Sequence, residues 1–175
     1  MNMNTFAPFS LRYHNRDGGT SAAPIREVPI GLDGDSIAKG DPVQVEAGVA
    51  ASYIAGDGIF GVAVDTFPAY SANAGKDNPA ANLPLIFPAV DEGIVYRVQA
   101  RLIETETDVA CSQAILGNTY NLAGTAGAMY LDVASAGSDF LVIGIDHTVS
   151  EWTDLYPILL VKIVNYQDVD PSIAT

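Results

Sequence analysis

The chain has 175 residues, 49% hydrophobic and 17% charged, which is enough apolar material for one well-buried domain and too little length for two large ones. Acidic residues outnumber basic ones by 21 to 8, and the resulting net charge of −13 opposes binding to nucleic acid or to an anionic membrane surface. The single cysteine, Cys111, excludes an internal disulfide and a cysteine-based metal cage, so stability is expected from packing or assembly.

The opening stretch "MNMNTFAPFSLRYHNRDGG" has neither the basic start nor the continuous apolar core of a secretory signal, so synthesis in the cytoplasm is expected. Residues 1–35 carry Pro8, Pro24, Pro29 and a Gly18-Gly19 pair with no helical period, and are read as an extended N-terminal arm. Phe6, Phe9, Leu11 and Tyr13 alternate with polar or small residues, a pattern that lets one face lie along a neighbour's apolar groove. A frayed terminus or an ordinary edge strand is the plainer alternative.

From Ser36 the pattern becomes regular, and residues 36–175 are read as a β-rich body. "SIAKGDPVQVEAG" places a turn at Lys39-Gly40-Asp41 before an alternating strand, with Pro42 at its first position, where no ladder bond is lost. A short strand, Val49 to Ile54, follows. "GDGIFG" then matches the Gly-x-Gly-x-x-Gly pattern of dinucleotide-binding folds, but that pattern seats a phosphate only where a helix leaves the glycines. Here β-branched residues lead to Pro68, so Asp57-Gly58 is read as a tight reversal and Ile59 to Asp65 as a strand.

Residues 66 to about 84 hold several Pro and Gly and are read as a long surface loop. "LIFPAV" and "IVYRVQARLIE" return to strand character, the second with Tyr96, Val98 and Ala100 on an apolar face and Val95, Arg97 and Gln99 on a mixed one. "DVACSQAIL" forms either a short helix capped by Asp108 or another strand and turn. "AGAMYLDVAS", "DFLVIGIDHT" and "YPILLVKIVNY" read as three further strands, giving an all-β chain with a β-sandwich or barrel of short strands. A weak internal echo links "SIAKGDPVQVEAG … FGVAVD" with "QAILGNTYNLAG … VIGIDH", and two such halves could stack into one barrel.

Candidate chemistry is sparse. Asp146, His147 and Glu151 lie close in sequence, and with Cys111 they sketch a nucleophile set, yet no nucleophile-elbow sequence surrounds any serine and no catalytic residue is assigned. Asp33 and Asp35 are spaced as in calcium loops, but the remaining EF-hand ligands are missing. No metal ligand or cofactor is assigned. Trp152 belongs either to a core corner or to an exposed contact patch. Tyr53, Tyr70, Tyr130 and Trp152, near predicted turns, motivate an alternative in which the chain is a carbohydrate- or host-surface-binding β module.

The series "SIAKGDPVQVEAG … GDGIFGVAVD" resembles the decoration or cement proteins of tailed-phage heads, whose sequences carry a G-D-x-V turn and strand followed by G-x-x-G-V-A. The similarity covers residues 36 to 65. It implies a β-sandwich or barrel, commonly trimeric, bound to the outer surface of the virion with the major capsid protein as partner. That family has no invariant catalytic set, so the implied role is structural and non-enzymatic. Phe6, Phe9, Leu11, Tyr13 and Trp152 are the residues expected to contact the capsid.

Overall fold

The computed structural model describes residues 6–16, 25–27, 36–46, 49–66, 85–89, 93–104 and 107–167. The expected Asp33 and Asp35 pair, Tyr70, and all but the first residue of the 66–84 loop lie outside these residues. The strands are β1 Arg12–Arg16, β2 Arg26–Glu27, β3 Pro42–Glu46, β4 Val49–Ser52, β5 Gly61–Ala63, β6 Leu85–Pro88, β7 Ile94–Glu104, β8 Thr107–Val109, β9 Thr119–Thr125, β10 Ala128–Asp132, β11 Phe140–Ile145 and β12 Ile158–Ile163. The only helical element among the described residues is a 3-10 turn, Gln113–Ile115, where Ser112 Oγ accepts from the Ala114 N–H at 3.3 Å. The ambiguous stretch is therefore strand β8, then a Ser112-capped turn, and Asp108 does not cap it. The all-β expectation holds.

β7, β12, β11, β9 and β10 hydrogen-bond in that order, and β10 returns to β7 in parallel at Leu131↔Ala100 and Asp132↔Arg101, closing a barrel. Its interior is filled by side chains: Tyr96, Val98, Phe140, Val142, Leu131, Leu159 and Val161 are all 0–1% exposed. β7 is the shared wall, because Tyr96 and Arg97 pair with β1 on one edge and with β12 on the other. A second sheet, in the order β2-β6-β5-β3-β4, builds a smaller core around Ile37, Val43, Phe60 and Ile86.

The internal echo is real at the level of register. In the first half the Gly40 N–H donates to Ala63 O and the Ala63 N–H to Asp41 O; in the second half the Gly117 N–H donates to Val142 O and the Val142 N–H to Asn118 O. Both turns close identically, Asp41 N–H onto Ala38 O and Asn118 N–H onto Ile115 O. Outward from there, Gly61 pairs with Val43 and Pro88, as Phe140 pairs with Tyr120 and Ile163. The sheet of the first half, β2-β6-β5-β3-β4, which is the second sheet named above, thus repeats as β7-β12-β11-β9-β10. The two halves do not stack into one barrel, however. The second half closes its own barrel because β7 is 11 residues long and runs past β12 to reach β10.

"GDGIFG" is a turn. Gly56 and Gly58 have φ of +92° and +80°, and the chain leaves into Ile59, bridged in parallel to Tyr166, and then β5, which is shorter than the strand expected from sequence. No helix follows, so no phosphate seat exists there.

The repeated turn yields a paired test. Gly40 and Gly117 both sit at left-handed φ, +88° and +81°, but a Cβ at Gly40 would lie 2.3 Å from the Leu11 backbone oxygen, whereas at Gly117 it meets open space. Gly117→Ala should cost about 1 kcal/mol, the left-handed penalty alone. Gly40→Ala should cost about 3 kcal/mol or more, because backbone overlap is added. Urea denaturation of both variants checks the difference; equal losses would show that the Leu11 contact yields freely.

Candidate functional site

The N-terminal segment is built onto the body. The Ser10 N–H donates to Met129 O at 3.0 Å, Ser10 Oγ accepts from the Met129 N–H at 3.1 Å, and the Leu11 N–H donates to Gly40 O at 2.9 Å. Further upstream, the Ala7 N–H donates to Gln99 Oε1 at 2.9 Å, which is how the mixed face of β7 carries a Gln99 that is 0% exposed. Phe6 meets Tyr130 edge-on at 5.1 Å and Tyr156 at 5.2 Å, with the Arg101 guanidinium 4.7 Å from the Phe6 centroid. Arg101 is held in turn by Asp108, Nε to Oδ1 at 2.6 Å and Nη2 to Oδ2 at 3.2 Å, and Tyr156 Oη donates to Asp108 Oδ2 at 2.8 Å.

The five residues expected to contact a partner therefore divide. Leu11, 2% exposed, is enclosed by the chain's own barrel core and presents no surface to a neighbour. Phe6 is spent on the Tyr130–Arg101–Tyr156 cluster, and Trp152 packs half-buried against the barrel core. Phe9 and exposed Tyr13 remain at the surface and line a half-open groove of about 780 Å³ between the N-terminal segment and the second sheet. Tyr13 stacks on Phe87 of β6 at 5.3 Å, and the Arg12 guanidinium lies 4.3 Å over the Phe9 ring. Lys39, Val62 and Val64 also line it, and among the described residues no carboxylate does. Sequence reasoning missed Arg12, Lys39 and Phe87 because they come from three separate elements.

Two buried carboxylates hold this arrangement together. Asp139, 0% exposed, accepts from Tyr53 Oη at 2.5 Å, the Gly56 N–H at 2.8 Å, Ser138 Oγ at 2.9 Å and Asn165 Nδ2 at 2.8 Å. Burial and the neighbouring Asp139 raise the Tyr53 phenol well above its ordinary pKa, so it stays a donor. Asp41, 3% exposed, accepts from Ser10 Oγ at 2.7 Å, the Ala38 N–H at 2.9 Å and the Gly127 N–H at 2.9 Å. It bolts the groove's N-terminal wall to the β3 turn and the β9–β10 hairpin.

The sketched nucleophile set does not assemble. Cys111 is 3% exposed, and burial pushes its thiol up to about 12, far from a reactive thiolate. Asp146 turns to Thr148 and Arg97 instead of His147: it accepts from Thr148 Oγ1 at 2.5 Å and pairs with Arg97 Nε at 2.8 Å, while that Nε also faces His14 Nδ1 at 2.9 Å. Burial opposes the charged form of Asp146, but the Thr148 hydrogen bonds and the pull of Arg97 and His14 prevail and lower its pKa. Among the described residues no group of three or more His, Cys, Asp and Glu side chains could hold a metal ion, and no helix is long and apolar enough to cross a membrane.

Comparison with family models, with curated protein sequences and with solved structures gives no match.

Two outcomes follow from the polar framework. Tyr53→Phe removes a donor from buried Asp139 and should cost about 1–3 kcal/mol in chemical denaturation; a neutral result would mean that the carboxylate is satisfied without it. Asp108 is held below the ordinary carboxylate range by the Arg101 hydrogen bonds first and Tyr156 second. Its stabilising contribution is therefore complete above the unfolded-chain value of about 3.9 and lost as pH falls through the lower folded value. Thermal melts of wild type and Asp108→Asn should differ at neutral pH and converge below about pH 3; a gap independent of pH would contradict the assignment.

Proposed function

We propose that this chain is a non-enzymatic structural protein that binds the outer surface of a tailed-phage capsid and stabilises it by bridging capsid subunits. The observation that carries the reading is the repeat: residues 36–65, where the resemblance to head-decoration proteins lies, form a turn-hairpin-strand unit whose register recurs in the second half. One chain thus offers two related β units to a repetitive surface, and contacts made in tandem multiply weak affinities. A ligand that binds only the assembled lattice shifts the lattice's dissociation equilibrium by mass action. The net charge of −13 suits a subunit that stays dispersed at high concentration before docking. Assembly as a trimer and residence on the virion exterior accompany this reading through the resemblance.

The carbohydrate-binding alternative gains no support from Tyr53, Tyr130 or Trp152, and Tyr70, which also motivated it, lies outside the described residues. Tyr53 is committed to Asp139, Tyr130 to Phe6 and Arg101, and Trp152 to the core. An aromatic platform for a sugar needs an open ring face.

The test is direct. Purified protein mixed with heads stripped of accessory proteins and built from the capsid protein of the same genome should decorate them regularly in cryo-electron micrographs and raise their rupture temperature. Bare heads at micromolar protein would refute the proposal.

A further inference from the structure

We infer that the groove between the N-terminal segment and the second sheet receives an extended, carboxylate-bearing polypeptide segment of a partner protein. Charge is the first reason. In a chain with 21 acidic and 8 basic residues, this groove is lined by Arg12 and Lys39 and, among the described residues, by no carboxylate. Both cations are exposed, and neither forms an ion pair with a described residue. Arg12 Cζ lies over the Phe9 ring, a cation–π contact that uses none of the guanidinium N–H groups as hydrogen-bond donors and so leaves them able to fork a carboxylate.

Shape is the second reason. Phe9, Tyr13 and Phe87 supply apolar ring surface beside those cations, with Val62 and Ala63 in the wall, so alternate side chains of an extended segment find apolar and cationic contacts in turn. The third reason is backbone. β1 ends its sheet, and its outer edge pairs with no described strand. The bulge between Tyr13 and Asn15 bends the strand and restricts further pairing to the stretch at Arg12 and Tyr13, which is the stretch that lines the groove. Residues 8–13 of the N-terminal segment are thus one wall of a receptor for a partner's segment.

The inference deepens the docking reading and rests on it for the source of the segment, since a capsid surface is what would present one. The groove itself is tested separately with the full-length, 15N-labelled chain and an acetylated, amidated octapeptide of alternating Glu and Val, against its Lys-Val counterpart. The acidic peptide should shift the amide signals of residues 9–13, 39–40 and 62–64, and its affinity should fall as salt rises. Arg12→Glu with Lys39→Glu should weaken it about tenfold or more and reverse the preference between the two peptides. Should that double reversal lower the thermal midpoint, Arg12→Gln with Lys39→Gln must still weaken acidic-peptide binding. No shift, equal binding of both peptides, or exchange protection in the free chain of whichever of the Arg12 and Tyr13 amides faces away from β7, which would mean that the chain's own segment fills the groove, overturns the inference. Peptide binding by a wild type that leaves heads bare overturns the docking reading alone. Head binding unchanged by the double variant overturns the groove as the docking place.

Discussion

Asp139 and Asp41 are the constraint on which the rest of the structure depends. A carboxylate removed from water costs several kcal/mol unless its lone pairs are filled, so each of these groups forces its donors to be present together. Asp139 draws Tyr53 and Gly56 from beyond β4, Ser138 from before β11 and Asn165 from beyond β12 to one point. Asp41 draws Ser10, Ala38 and Gly127 to another. Apolar faces alone would let two sheets slide over one another at little cost. Directed hydrogen bonds to a buried charge do not, and they fix how the open sheet, the barrel and the N-terminal segment meet.

The two halves show what strand length does to one topology. The turn at Gly40 and the turn at Gly117 set the same hairpin and the same third strand, yet among the described residues only the second copy closes, because β7 continues past its contact with β12 to Ala100 and Arg101. Closure protects the edge of β10 and leaves a filled interior. The outer face of β7 then needs its own cover, since Gln99 and Arg101 project from it among apolar neighbours. Ala7 and Phe6 supply that cover, with Asp108 and Tyr156 completing it. The groove is a by-product of this cover: once residues 6–11 are pinned on the barrel, Arg12 and Tyr13 pass beside the second sheet and bring their side chains opposite Phe87 and Lys39.

Much of the fold was legible because its signals are short-range. Pro42 opens β3, Asp57-Gly58 reverses the chain, and the alternation over Tyr96, Val98 and Ala100 marks the barrel-facing side of β7. The equivalence of Gly40-Asp41 with Gly117-Asn118 was also present in the sequence, faintly, since only the glycine is shared and the strands beyond it differ in every side chain that meets a different core. The candidate site was legible in part. Phe9 and Tyr13 stand where an alternating face predicts exposed aromatics, whereas Leu11, on the same alternation, is enclosed. The bend at Ser10, with φ +57°, turns Leu11 inward, and no pattern in the neighbouring residues announces it.

Residue types and their spacing determined the β class, the places where strands begin and reverse, the acidic surface and the repeated turn, since each depends on dihedral preferences and solvation of residues near one another in the chain. Tertiary structure alone decided which half closes, which carboxylates are buried, and which cations and rings face one another across the groove. Ser10 and Met129 are 119 positions apart and Tyr53 and Asp139 are 86 apart, yet each pair is joined by a hydrogen bond. Contacts of that range depend on the packing of the whole chain, which local preference does not encode.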